Sequence, residues 1–203
     1  MRFAQKKQTM SNAGSSKRDR TEGDVLLEVN NLVKHYDTRS GLWGKITGNP
    51  GFLVQAVDGV SLTINRGETL GLIGESGCGK STLGRSILRL HEPTSGTVIF
   101  DGADVTKLDA DALKKMRRRM QIVFQDPYAS LNPRKTIEDI IATALRLQGL
   151  AKGSDIKGRV KQLLENVGLK PDYMNRFPHQ FSGGHRQRIG IARALALNPE
   201  FIV

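Results

Sequence analysis

Apolar residues take up regular spacing only after a polar N-terminal stretch. Alternation in VLLEVNNLVKHY (25–36) predicts a strand, and AVDGVSLTINRGETLGLIG (56–74) predicts two strands around a turn at 65–67. GTVIFDG (96–102) and the short apolar run QIVFQ (121–125) predict two more. Strands therefore dominate the first half of the chain.

Five stretches show apolar residues at helical spacing or a helix boundary signal. They are KSTLGRSILRLHEP (80–93), which Pro93 should stop, DADALKKMRRRM (109–120), TIEDIIATALRLQG (136–149), SDIKGRVKQLLENVGL (154–169) and the closing FSGGHRQRIGIARALALNPEFIV (181–203). The last stretch predicts a helix that begins at glycines, followed by the first residues of a buried strand. We expect an α/β fold with an inserted helical subdomain at about 136–178.

Two segments lack such patterns. Residues 1–24 are polar, charged and contain Ser and Gly, which predicts a disordered basic arm. Residues 39–53 are rich in Gly and predict a loop. The ordered domain should therefore cover residues 25–203.

Composition narrows the class of protein. With 203 residues, 38% hydrophobic and 25% charged, the chain can form one soluble domain with a real core. No apolar run is long enough to span a bilayer, and no secretory signal follows the N-terminal basic residues. A single cysteine excludes an internal disulfide and fits a reducing compartment.

The formal net charge of +11 is concentrated in residues 1–20 and in KKMRRR (114–119). A solvated tail and a solvated helix face would explain both clusters. An anionic partner, either nucleotide phosphate or membrane head groups, is the alternative.

The clearest chemical motif is GESGCGKST (74–82), which fits G-x-x-x-x-G-K-[ST] between a predicted strand and a predicted helix. Glycines let the backbone curl so that amide N–H groups point at phosphate oxygens, and the helix adds its positive end. Lys80 should reach the β- and γ-phosphates, and the Ser81 hydroxyl should ligate Mg²⁺. The predicted nucleotide-binding residues are Gly74, Glu75, Ser76, Gly77, Cys78, Gly79, Lys80, Ser81 and Thr82.

Cys78 has two interpretations. It fills a permissive position of the loop, or it is a thiol made reactive by the helix N-terminus. By itself, the phosphate-binding motif leaves kinases, GTPases, helicases and transport ATPases open.

The closing stretch decides among these classes. FSGGHRQRIGIARAL (181–195) resembles the signature motif of the ATP-binding-cassette (ABC) family, and Gln125 in IVFQDP resembles its Q-loop. VFQDPYASLNPR and GRSILRLHEPTSGTVIFDGADV are similar to the dipeptide/oligopeptide-importer branch. The resemblance covers nearly everything from residue 25 on. It implies a P-loop NTPase core of ABC-ATPase type with an antiparallel β subdomain and an inserted helical subdomain.

The resemblance also implies roles for individual residues. Tyr36 would stack on adenine, although it could also be an ordinary tyrosine at a strand end. Gln125 would contact Mg²⁺ and the attacking water and sense the membrane partner. Ser182, Gly183 and Gly184 would cap the γ-phosphate of a nucleotide held by a second copy, where a helix N-terminus suits an anion.

His185 departs from the family pattern, which usually has Gln there. Imidazole can still form hydrogen bonds and gains a proton near neutral pH. Either His185 is a tolerated variant, or it weakens the ATPase activity or makes it sensitive to pH.

In the family, the strand begun by FIV (201–203) continues to an Asp that binds Mg²⁺ through water and a Glu that polarises the attacking water. A further His contacts the γ-phosphate. None of these follows in this chain. We therefore expect a fragment that is incomplete at its C-terminus and, alone, poorly active in hydrolysis.

The resemblance predicts the ATP-binding subunit of an ABC importer that couples ATP binding and hydrolysis to uptake of peptides or similar small solutes. Its partners would be transmembrane permease subunits, a second ATP-binding subunit and, indirectly, a solute-binding protein, at the cytoplasmic face of the inner membrane. One alternative is a truncated fragment that binds ATP without efficient hydrolysis. Another, an ABC ATPase acting on nucleic acid, rests only on the basic clusters, so no nucleic-acid partner is expected.

Overall fold

The computed structural model describes residues 2–5, 24–37, 52–147, 149 and 155–203. These residues form two compact units, Met1–Ala110 and Asp111–Val203. Within the described ranges, no helix combines the length and the apolar character needed to cross a bilayer.

The first unit is built mainly from strands. Its described elements are β1 (Arg2–Gln5), β2 (Val25–Asp37), β3 (Leu53–Asn65), β4 (Leu70–Ile73), α1 (Lys80–Ile87), β5 (Ser95–Phe100), β6 (Ala103–Asp104) and a 3₁₀ turn (Val105–Lys107).

An antiparallel sheet with the strand order β3-β2-β5-β6 confirms the predicted antiparallel β subdomain. Leu27 of β2 lies opposite Phe100 of β5, and Val29 lies opposite Val98. These four side chains are almost completely buried. Alternation along β2 therefore places Leu27 and Val29, two residues apart, on one buried face, as the sequence predicts.

The N-terminal segment differs from its predicted disorder. Arg2–Gln5 form β1, which pairs antiparallel with β4. The physical reason is that β4 presents backbone N–H and C=O groups at its edge, and a short segment without Gly or Pro can satisfy them. The rest of the predicted arm, residues 6–23, lies outside the described residues. Most of the predicted loop, 38–51, also lies outside them, and β3 begins at Leu53, earlier than predicted.

Helix α1 is shorter than the sequence predicts, because it ends at Ile87 rather than near Pro93. Arg89 adopts a left-handed backbone with φ of 48°. Its guanidinium donates hydrogen bonds to the carbonyl oxygens of Val105 (3.1 Å) and Leu108 (2.6 Å). These contacts with a distant segment fix the turn that ends the helix.

The second unit is mainly helical. Its elements are α2 (Ala110–Arg119), β7 (Met120–Gln121), α3 (Pro127–Ser130), α4 (Ile137–Leu147), α5 (Asp155–Asn166), two 3₁₀ turns (Pro171–Asn175 and Pro178–Gln180), α6 (Gly183–Leu195) and β8 (Phe201–Ile202). The strand predicted over 121–125 is only two residues long. Its parallel pairing with β8 is nevertheless extended by a hydrogen bond from the Val123 amide to the carbonyl oxygen of Val203 (2.9 Å).

The predicted amphipathic helices pack as expected around one apolar cluster. Ile141 and Leu145 of α4, Val160 and Leu164 of α5, and Ile189 of α6 are fully buried. The cluster thus joins the helical segment to the helix that follows the signature motif, and it holds the start of α6 in a fixed place within this unit.

Gly96 in β5 and Gly102 in the turn between β5 and β6 offer a matched test of packing. Gly96 has φ of 89°, and a Cβ there would lie 2.4 Å from the carbonyl oxygen of Asn31, whereas Gly102 has φ of 79° and open space around it. We expect Gly102→Ala to lower the free energy of unfolding by about 1 kcal/mol, because alanine is strained in the left-handed backbone conformation. Gly96→Ala should cost about 3 kcal/mol or more, because overlap with backbone is added to strain. Urea denaturation followed by circular dichroism measures both, and equal losses would contradict the packing.

Candidate functional site

Residues 74–82, hereafter the phosphate loop, connect β4 to α1. Gly77 and Gly79 adopt left-handed backbones with φ of 83° and 92°. A Cβ at Gly79 would lie 2.0 Å from the carbonyl oxygen of Ala56 in β3. Only glycine fits at position 79, because any side chain would collide with this strand.

The Lys80 ammonium is turned back into the phosphate loop. Its Nζ donates hydrogen bonds to the carbonyl oxygens of Gly74 (2.8 Å) and Glu75 (2.5 Å) and lies 3.5 Å from Cys78 Sγ. A cation is therefore held by the carbonyl groups of the loop itself, beside backbone that leads into a helix N-terminus. This arrangement suits an anion that would replace the two carbonyl oxygens as the partner of the ammonium.

Cys78 helps to close the loop. Its amide donates to the carbonyl oxygen of Glu75 (3.3 Å), and its sulfur would lie 2.6 Å from a Cβ at Gly74. The exposed thiol therefore packs where position 74 has no side chain. Whether this thiol is unusually reactive stays a prediction.

The remaining loop residues are accessible to a ligand. Glu75, Ser76 and Ser81 are exposed, and Thr82 is half-buried in the first turn of α1. Among the described residues, no group of three or more His, Cys, Asp or Glu side chains could hold a metal ion. The Ser81 hydroxyl is the kind of hard oxygen ligand that Mg²⁺ accepts when phosphate oxygens and water complete its coordination.

Tyr36 lies near the end of β2, which pairs with β3, the strand that Gly79 of the phosphate loop approaches. It is paired with Val54 of β3, two residues before the Ala56 that contacts Gly79. Its hydroxyl is hydrogen-bonded to Nδ1 of His91, and the Lys34 ammonium lies 4.9 Å from its ring centroid. The His91 contact could not be predicted from the sequence, because 55 residues separate the two side chains.

Gln125 lies in the second unit, at an exposed bend after β7. The next residue, Asp126, caps α3 by accepting hydrogen bonds from the amides of Tyr128 (2.8 Å) and Ala129 (3.3 Å). A capping Asp before Pro127 fixes the start of this short helix, which sets the chain direction directly after Gln125.

Two arginines of α6 hold the segment that follows Gln125. The Arg186 guanidinium lies 4.1 Å from the ring centroid of Tyr128, and Arg193 donates to the carbonyl oxygen of Ser130 at 2.5 Å. Burial lowers the pKa of the Arg193 guanidinium below its usual value. The two positions are seven residues apart and therefore share one face of the helix. That spacing is the signal that sequence reasoning missed.

The signature residues form the start of α6. Ser182 is the N-cap, and its Oγ accepts a long hydrogen bond from the His185 amide (3.4 Å). The same Oγ is 2.8 Å from Nδ1 of the His185 ring. Ser182, Gly184 and His185 are exposed, and a Cβ at Gly184 would meet only open space. The thirteen-residue helix thus presents its positive end to solvent.

The structure brings the predicted site residues together in two groups. The first unit contains Tyr36 and the whole phosphate loop, and the second contains Gln125 and the signature residues 182–185. The roles predicted for these residues remain predictions.

Comparison with known proteins supports the resemblance over most of the chain. The family model described as ABC transporter matches residues 57–203. The oligopeptide transport ATP-binding protein AppF of Bacillus subtilis is 49% identical over 181 residues, which are 89% of this chain and 54% of the relative. The oligopeptide transport ATP-binding protein OppF of the same species is 53% identical over 182 residues, or 89% of this chain and 56% of the relative. The chain thus spans about half the length of these relatives.

A solved structure agrees with the fold. The ATP-binding cassette MJ0796, in a dimeric post-hydrolysis state bound to ADP and Pi, aligns with a TM-score of 0.71 at 33% sequence identity. The alignment covers 87% of this chain and 72% of the cassette. Sequence and fold agree with the motifs described above, and the chain therefore belongs to the ABC transporter family.

Proposed function

We propose that this chain binds ATP through the phosphate loop and acts as an ATP-binding subunit of an importer for peptides or similar small solutes. One observation carries the binding proposal: a glycine-built loop at a helix N-terminus holds a lysine ammonium with its own carbonyl oxygens. Membership of the ABC transporter family and identities near 50% to oligopeptide transport ATP-binding proteins support the wider assignment.

The loop supplies three elements of phosphate recognition. The left-handed Gly77 and Gly79 shape its backbone, whose amides would donate to phosphate oxygens. The Lys80 ammonium would exchange two carbonyl partners for β- and γ-phosphate oxygens, gaining opposite charge in place of neutral acceptors. The Ser81 hydroxyl would ligate Mg²⁺, which neutralises charge on the phosphates.

Tyr36 would provide the platform for the adenine ring. Its position in β2, which pairs with the strand that Gly79 of the phosphate loop approaches, favours this role, as does its half-buried ring. The hydrogen bond to His91 and the Lys34 cation over the ring would hold the aromatic plane in one orientation. Base–aromatic stacking is typically worth about 1–3 kcal/mol per base.

Gln125 and the signature residues would act from the second unit. The amide oxygen of Gln125 would join the ligands of Mg²⁺ and help to orient the attacking water. Ser182, Gly183 and Gly184 would cap the γ-phosphate of a nucleotide bound by a second ATP-binding subunit. The dimeric state of the MJ0796 cassette with ADP and Pi supports such pairing.

The wider assembly is also part of the proposal. Permease subunits would bind near Gln125 and the helical segment, and a solute-binding protein would deliver the solute. The chain would then work at the cytoplasmic face of the inner membrane. AppF and OppF are oligopeptide transport ATP-binding proteins, which supports peptides as the solute class.

Two glycines of the phosphate loop provide the first test. Gly79→Ala places a Cβ 2.0 Å from the carbonyl oxygen of Ala56, whereas a Cβ at Gly77 meets nothing within 4 Å. We expect Gly79→Ala to weaken ATP binding by about a hundredfold or more, because the loop must move off β3. Gly77→Ala should weaken it by about tenfold, since it adds strain alone. Titration with a fluorescent ATP analogue measures both affinities, with circular dichroism as the control for folding. Equal losses would contradict the proposed loop geometry.

A second test separates hydrolysis from binding alone. In membranes that contain the complete importer, we expect ATP-dependent peptide uptake and phosphate release, and Lys80→Ala should lower both by about a hundredfold or more. Ser76→Ala is the matched control in the same loop and should cost less than about tenfold. If the wild-type importer binds ATP but releases no phosphate, the alternative of ATP binding without efficient hydrolysis is the better account.

A further inference from the structure

Among the residues that the structure describes, the Ser182 hydroxyl has two hydrogen-bond partners, and both belong to His185. The backbone amide of His185 donates to Oγ at 3.4 Å, as expected of an N-cap. The ring nitrogen Nδ1 lies 2.8 Å from the same Oγ, so a second and shorter hydrogen bond joins the two side chains. The sequence pattern alone, with Gln expected at this position, does not reveal this contact.

The imidazole is held by aromatic neighbours. The Tyr173 ring meets it edge-on, with centroids 6.2 Å apart and planes at 89°, and the Phe181 ring is tilted against it at 6.1 Å. Tyr173 and Phe181 are themselves in contact at 5.2 Å. The ring therefore has a defined place, and its hydrogen bond with Ser182 is a built feature of the helix start.

A hydroxyl has a single proton, and the state of the ring decides where that proton goes. When His185 is neutral and Nδ1 carries no hydrogen, Ser182 must donate to Nδ1. Its Oγ then presents lone pairs to solvent, which repel an incoming anion. When the ring is protonated, Nδ1–H donates to Oγ, and the hydroxyl proton is free to turn outward.

We propose that His185 is a positioning residue whose protonation frees the Ser182 hydroxyl to donate to a polyphosphate oxygen at the start of α6. This inference rests on the proposed function, in which the signature residues cap a nucleotide held by a second subunit. The anion gains both a hydrogen-bond donor and a nearby positive charge, so binding is tighter at lower pH. By linkage, a bound nucleotide favours the protonated ring.

Two arginines lie on the elements that pack around His185. On the neighbouring 3₁₀ turn, Tyr173 contacts the His185 ring. The Arg176 guanidinium lies 4.8 Å from the centroid of the Tyr173 ring. On α6 itself, Arg186 follows His185 and donates to the carbonyl oxygen of Pro178 at 2.8 Å. Both charges are positive. A bound phosphate would therefore supply the negative charge beside the imidazolium.

The first experiment reads the hydrogen bond directly. Nitrogen-15 NMR of the histidine rings, recorded on the chain at about pH 8 where imidazole is mostly neutral, reports which nitrogen carries the proton. We expect the neutral His185 ring to be protonated on Nε2 and not on Nδ1, and Ser182→Ala to shift the Nδ1 resonance. A neutral ring protonated on Nδ1 would overturn the proposal, because Ser182 would already be free to donate.

The second experiment measures the consequence for nucleotide capping. Self-association of the chain in Mg²⁺-ATP is measured by analytical ultracentrifugation at about pH 6 and pH 8, a range that spans imidazole titration. We expect the association constant to be about tenfold higher at the lower pH for the wild-type chain. His185→Gln and Ser182→Ala should each abolish this difference between the association constants at the two pH values. His179→Gln should keep it, because His179 is a histidine of the same unit that stacks on Phe177 instead.

Each outcome has a distinct meaning. If His185→Gln keeps the wild-type pH ratio, the ring is not the titrating group and the inference is wrong. If Ser182→Ala keeps it, the ring acts directly on the anion rather than through Ser182, and the inference is also wrong. If neither the wild-type chain nor any variant self-associates with ATP at either pH, the proposed capping by a second copy is wrong. This inference is then wrong as well.

Discussion

The close approach of the phosphate loop to strand β3 is the constraint on which the rest of the site depends. At Gly79 the backbone is left-handed and leaves no room for a Cβ, which would lie 2.0 Å from the carbonyl oxygen of Ala56. This contact fixes where α1 begins and therefore where Lys80 and Ser81 lie. Two residues along the same strand, Val54 is paired with Tyr36. One strand thus connects the backbone that would bind phosphate with the ring that would bind adenine.

The second unit also contains an exposed helix start that would suit an anion, but its support is different. Packing of α6 into the apolar cluster fixes the helix, and Ser182 caps it. Arg186 and Arg193 of the same helix hold the segment that follows Gln125. Movement of that segment would therefore be transmitted to the helix that carries the signature residues. This mechanical link is contained within one unit and needs no partner to form.

Much of this could be predicted because the signals are local. The phosphate loop follows from glycine spacing between a strand and a helix, and the α4–α5 helices follow from apolar periodicity. What escaped prediction depends on contacts between distant residues. Arg89 ends α1 by reaching the carbonyl oxygens of Val105 and Leu108, and β1 forms because β4 offers an open edge. The Ser182–His185 hydrogen bond escaped because a motif names residues and not the rotamers that they adopt.

A crystal structure of the chain with Mg²⁺ and a non-hydrolysable ATP analogue would test the proposed ATP site directly. We expect the β-phosphate to lie against the amides of the phosphate loop. We also expect the Lys80 ammonium to leave the carbonyl oxygens of Gly74 and Glu75 for phosphate oxygens. A nucleotide bound elsewhere, or a Lys80 that keeps both carbonyl partners while the nucleotide is bound, would contradict the assignment of this loop as the ATP site.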